Sequence, residues 1–256
     1  MRRRSKVSAA RYTFGLAVLA AWCSGMVMLA RLGNLPLAIT VGVLFTVPLT
    51  SLGEWLVHGV LYHGRIPGLE FIRTIHHHGH HFALFPPEKY VQSGKYEFMR
   101  FRKPLTPFVM SDNGLDNFLT MYSQVALHFV VGIPLIVVPA WFATKSVAFA
   151  ASCTGSLALI SWLLGYVHGV IHTPRDRWIE SHRWFQWLDR HHYIHHIDLS
   201  ANINFMLPVC DFLFGTQKWA LTEKEAASHP SFEQSKPMAK DIPRLSAASQ
   251  QVSPAE

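Results

Sequence analysis

Four apolar stretches, each about as long as a bilayer's hydrocarbon core is thick, leave this chain few folds to adopt. They cover residues 12–30, 35–57, 118–143 and 146–171. A helix rising about 1.5 Å per residue needs roughly 20 residues to cross ~30 Å of hydrocarbon. Only Arg31 and a Gly33-Asn34 turn separate the first two stretches, and only Thr144 and Lys145 divide the second two. The pattern predicts an all-α integral membrane protein with four transmembrane helices in two helical hairpins.

Composition agrees once windows rather than means are read. Half of the 256 residues are apolar and 15% are charged, whereas the mean hydropathy of +0.17 averages the apolar spans with long polar segments. The basic residues Arg2, Arg3, Arg4 and Lys6 resemble the start of a secretory signal. The apolar run after them is too long for one and no polar mature domain follows, so an anchor is expected. Twenty-one of the twenty-three Lys and Arg residues fall before the first stretch, in 64–110 or after 172. The positive-inside rule then puts both termini and the central loop in the cytoplasm. The same excess, with a pI of about 9.5, reads as a topology determinant beside anionic headgroups and not as a nucleic-acid footprint. Cys23, Cys153 and Cys210 form no pairing framework and no Cys-x-x-Cys. Residues 1–11 are expected as a basic cytoplasmic N-terminus, 12–221 as the membrane domain and 222–256 as a disordered polar tail rich in Ser, Ala and Pro.

Histidine carries the chemistry. Ten of sixteen fall in four clusters: His58 and His63; His77, His80 and His81; His168 and His172; His192, His195 and His196. Both triads follow an i, i+3, i+4 pattern and His168/His172 an i, i+4 pattern, so each shares one face of an α-helix. His58 and His63 are different, because five residues at about 100° each leave them about 140° apart on a regular helix. They serve one centre only if the helix ends or unwinds between them, and Gly59 and Gly64 are placed for that. His76, His78 and His191 adjoin the triads but point elsewhere in helical phase; His182 has no assignment. His128 reads as a lone satisfied histidine in the third span, and His229 as a solvated one. Imidazole-rich ligation suits iron, zinc, copper or nickel, and ten ligands exceed one ion's roughly four to six positions. Two ions in a helical cap on the cytoplasmic side are expected.

Four blocks carry a resemblance to a known family: EWLVHGVLYH (54–63), HHHGHHFALFPPEKY (76–90), GYVHGVIH (165–172) and DRHHYIHHIDLSANINFMLPVCDFLFGT (189–216). Their order and spacing resemble those of the membrane fatty acid hydroxylase superfamily, and most closely the pattern of its fatty acid 2-hydroxylases. The resemblance implies that the ten clustered histidines hold two iron ions, which zinc can replace on purification, with O2 as co-substrate. It implies hydroxylation of a lipid, an acyl chain first, with sterol or carotenoid hydroxylation or desaturation as the alternative. No His-Pro-Gly-Gly motif of a fused cytochrome b5-like domain occurs. A separate electron donor is therefore implied, a ferredoxin or a cytochrome b5-like carrier with its reductase, docking on the basic surface.

Two carboxylates stand out beside the histidines. Glu54 lies in an apolar span four residues before His58, where a carboxylate is costly. It is a candidate for orienting a ligating histidine or, equally, a helix-end group facing headgroups. Asp211 is a second such candidate, with a turn-capping role favoured. The stretch 175–190, with Trp178, Trp184 and Trp187 among arginines, has the composition of an interfacial anchor. A divalent-metal transporter is the rival reading, but its ligands belong near the midplane rather than at span ends. A metalloprotease is disfavoured because no His-Glu-x-x-His occurs. A metal-stabilised scaffold predicts bound metal that never reacts with O2.

Overall fold

The computed structural model describes residues 8–84, 128–172 and 177–222, and these are helices and connecting loops, without a strand. Helix α1 (Ala9–Leu32) is opened by Ser8, whose hydroxyl accepts the Arg11 amide. Helix α2 (Leu35–Trp55) is opened by Asn34, whose side chain accepts the Leu37 amide at 3.2 Å, with Pro36 in its first turn. Helix α2 runs on without a break as a π-helix over Leu56–Tyr62. A short α3 (Glu70–Arg73) leads into a second π-helix, Thr74–Leu84. Next come α4 (His128–Thr144), α5 (Val147–His172), a 3₁₀ turn (Trp178–Ser181), α6 (Arg183–Ile197) and α7 (Val209–Phe214).

Among the described residues, three helices are long and apolar enough to cross a membrane: Ala9–Leu32, Leu35–Tyr62 and Val147–His172. They leave large apolar side chains such as Phe14, Leu16, Met28, Leu37, Leu44 and Leu159 exposed, as lipid-facing surfaces do. Where a fourth span was expected over 118–143, the described part is α4, an apolar helix shorter than the other three. Residues 118–127 and the tail beyond Thr222 lie outside the described residues.

The chain divides into two compact units. One draws on 1–57, 119–166 and 203–217, the other on 58–118, 167–202 and 218–256. In the first unit α1 and α2 form the expected hairpin. Pro48 has no N–H to give the Leu44 carbonyl, and the Trp22 indole N–H donates to that carbonyl instead, at 3.2 Å. Helices α2 and α5 cross tightly at Gly42, where a Cβ would lie 2.7 Å from Ser152. The Ser152 hydroxyl donates to the Ile39 carbonyl at 2.7 Å across that crossing. At the hairpin tips the Arg31 guanidinium donates to the Ala143 carbonyl at 2.8 Å, closing an open end of α4. Phe214 of α7 packs against Tyr12 and Trp55 with ring centroids 5.3 and 5.0 Å away, and Gly15 leaves the room it needs on α1.

Candidate metal centre

The second unit holds the clustered histidines, and the π-helices Leu56–Tyr62 and Thr74–Leu84 decide how they meet. In a π turn the amide bonds back five residues, so residues five apart stack on one face. The His63 amide does so, donating to the His58 carbonyl at 3.2 Å, and the two rings come to 5.0 Å. The break that α-helical arithmetic demanded between them is thus a widened turn, and the chain stays helical throughout. The same geometry over Thr74–Leu84 pairs His76 with His81, five residues on, their Nε2 atoms 3.2 Å apart. His76 was placed out of phase on the assumption of an α-helix; in a π-helix it faces inward and is buried. The signal that finds it is the repeated spacing of five in 58/63 and 76/81.

Regular α-helices present the rest. His168 and His172 lie one turn apart at the C-terminal end of α5, and His192, His195 and His196 lie on α6. Two buried groups result, His58/His63/His76/His81 and His80/His172/His192/His196, with the ligand atoms of each within 4.8 Å of one another. His168 adjoins the second group, its Nε2 3.2 Å from the Nε2 of both His192 and His172. His195 adjoins the first, Nε2 to Nε2 with His63 at 3.2 Å, and His77 reaches His63 Nδ1 at 2.9 Å. All ten expected ligands are brought together, with His76 added. Neighbouring residues divide between the groups, His80 from His81 and His196 from His195. The groups abut, with the His81 and His196 rings 4.3 Å apart.

The arrangement fits metal ions better than it fits hydrogen bonds among imidazoles. His192 Nε2 has the Nε2 atoms of His168, His172 and His196 at 3.2, 2.9 and 3.1 Å. A neutral imidazole nitrogen offers one N–H or one lone pair, so it cannot satisfy three such neighbours. Nitrogens bound about 2.0–2.1 Å from one ion lie roughly 2.9–3.4 Å from each other in octahedral or tetrahedral geometry, which matches. A second proton would not resolve these contacts either, because an imidazolium nitrogen only donates. Burial first, and neighbouring histidines second, hold His63, His76, His80, His81 and His192 well below the usual imidazole range, as neutral ligands must be.

The remaining candidates are placed elsewhere. Glu54 Oε1 accepts the Phe205 amide at 2.7 Å and the Met206 amide at 3.5 Å. Asp211 accepts the Ile203 and Asn204 amides at 2.9 and 2.8 Å and the Thr216 hydroxyl, which makes it the organiser of a turn. His191 is buried with its ring 5.0 Å from that of Trp187. His182 packs on Trp178 beside the 3₁₀ turn, and His128 is buried at the start of α4 in the first unit. The side chain of His78, and all of His229, lie outside the described residues. No protein-family model, characterised protein or solved structure matches the chain.

Proposed function

We propose that this protein is an O2-dependent di-iron membrane oxygenase that hydroxylates a lipid, an acyl chain first. The observation that carries the reading is the convergence of eight imidazoles into two abutting, buried groups, with His77, His168 and His195 beside them, where His58 and the pair His168/His172 lie on apolar helices of membrane length. His58, His63, His76, His81 and His195, with His77 beside them, would hold one ion; His80, His168, His172, His192 and His196 would hold the other. Iron bound there would supply the redox chemistry with O2 that amino-acid side chains lack. Uncharged imidazoles leave such a centre cationic, in contrast to carboxylate-rich sites.

The chain's own residues provide the rest. Burial of the ring nitrogens keeps bulk water from the reacting carbon. The apolar helices let a lipid tail approach from the bilayer without crossing water, and the order of the four histidine blocks favours a lipid oxygenase over a transporter. Hydroxylation consumes O2, two electrons and two protons for each oxygen inserted, with water as the second product. A one-electron carrier, a ferredoxin or a cytochrome b5-like protein with its reductase, must therefore dock, on the basic side expected to be cytoplasmic. Glu54 is proposed to stiffen the turn before His58 through its grip on the Phe205 amide.

Lipid extracts from cells with and without the chain, compared by mass spectrometry under ¹⁸O2, test the reading. Gain of one labelled oxygen identifies hydroxylation, and loss of two hydrogens identifies the desaturase alternative. Iron-loaded, reductant-supplied protein that leaves every lipid unchanged defeats both.

A further inference from the structure

The loop that follows the last histidine helix contains a set of hydrogen bonds that the reading above does not use. His195 Nδ1 lies 2.8 Å from the Ala201 carbonyl, in a buried position. A carbonyl only accepts, so this bond fixes the proton on Nδ1 and makes Nε2 the lone-pair nitrogen of the ring. That Nε2 is the atom that faces His63 at 3.2 Å. The direction of the Ala201 carbonyl therefore decides which nitrogen His195 offers.

The next residue holds that carbonyl in place. Asn202 is fully buried and left-handed, with φ 51°, a conformation that asparagine tolerates and most other side chains resist. Its amide is saturated. Nδ2 donates to the His191 carbonyl on α6 and to the Lys218 carbonyl, both at 3.0 Å, and Oδ1 accepts the Lys218 amide at 2.7 Å. Lys218 is gripped again at its far end, where Nζ lies 2.9 Å from Asp198, whose other oxygen accepts from the Ser200 hydroxyl and amide. Residues 198–202 are thus clamped between the backbone of α6 and Lys218, all within the second unit.

We propose that Asn202 is a positioning residue for the first histidine group: its amide clamp aims the Ala201 carbonyl, which sets the His195 tautomer and so supplies that group with an Nε2 ligand. The proposal rests on reading the two groups as metal sites and needs no oxygen chemistry. Partners that orient a ligating histidine typically contribute 10–100-fold to metal affinity. Asn202→Asp keeps an acceptor for the Lys218 amide but faces two carbonyls with no N–H. Asn202→Gly keeps the backbone conformation and removes every side-chain bond.

The test is titration of the chelator-stripped full chain in detergent with Co²⁺ alone, followed by the visible absorption of each bound ion. Wild-type protein is expected to bind two equivalents. Either variant is expected to weaken one of them by about 10–100-fold, changing its spectrum while the second ion keeps wild-type affinity and spectrum. Two equivalents bound as in wild type by both variants overturn the proposal. So does loss of both ions together in Asn202→Gly, which marks a role in general folding. Wild-type protein that takes up no Co²⁺ defeats the metal reading itself, and the proposal with it.

Discussion

His192 shows how much a single nitrogen reveals. Its Nε2 meets three other imidazole nitrogens at 2.9–3.2 Å, a crowd that one proton cannot reconcile. Replacing it with alanine should remove one of two bound ions, and His81→Ala should remove the other, because the two residues belong to different groups. Elemental analysis after chelator competition checks this, and a variant that keeps both ions refutes its assignment. Acid should act on the same residues. Imidazoles of the unfolded chain titrate near 6.5, whereas the buried ones are held well below that. As pH falls beneath about 6.5 the unfolded state takes up protons that the folded state refuses, and stability drops with it. Above that pH the contribution is complete. Thermal unfolding of the metal-free chain should therefore move to lower temperature between pH 7 and 5, and change little between 7 and 8. Metal should be released over the same acidic range, since protons and ions compete for one lone pair.

Elements rather than residues explain what could be read from the chain and what could not. The α-helical clusters were legible, because His168/His172 and His192/His196 lie one ordinary turn apart and point together. His58/His63 was legible as a pair but not in its geometry, and His76 was missed. Both depend on i to i+5 turns, for which apolar periodicity gives no cue. Of the four expected spans, three are apolar helices of membrane length among the described residues, while α4 is described only from His128. Helix contacts make their own prediction. Gly42→Ala puts a methyl 2.7 Å from Ser152, whereas Gly53→Ala, on the same helix, meets nothing within 4 Å. The first should cost about 1–3 kcal/mol by overpacking. The second should be neutral or stabilise by up to about 1 kcal/mol through helix propensity. Equal melting temperatures for the pair in detergent would count against the close crossing of α2 and α5.

At the scale of the whole molecule, the polar groups of the first unit are spent on its own architecture. Glu54 and Ser51 tie loop 203–208 to α2, Asp211 ties it to α7, and Trp22 repairs the helix opened by Pro48. The second unit spends its imidazoles facing one another. Opening should therefore be uneven across the chain, and the π-helices at Leu56–Tyr62 and Thr74–Leu84 should set where it begins. A π turn is rare and is found mostly at functional sites, where further interactions restrain it. Around 58–63 and 74–81 an ion held by the two histidine groups would be such a restraint. Amide exchange is then the observable that links chemistry to breathing. With metal bound, the amides of 56–63 and 74–81 should exchange slowly with solvent deuterium. After chelation these turns should exchange fastest among the helices, while 9–32 and 35–55 keep their protection. Identical protection with and without metal would show that the widened turns need no ion to persist.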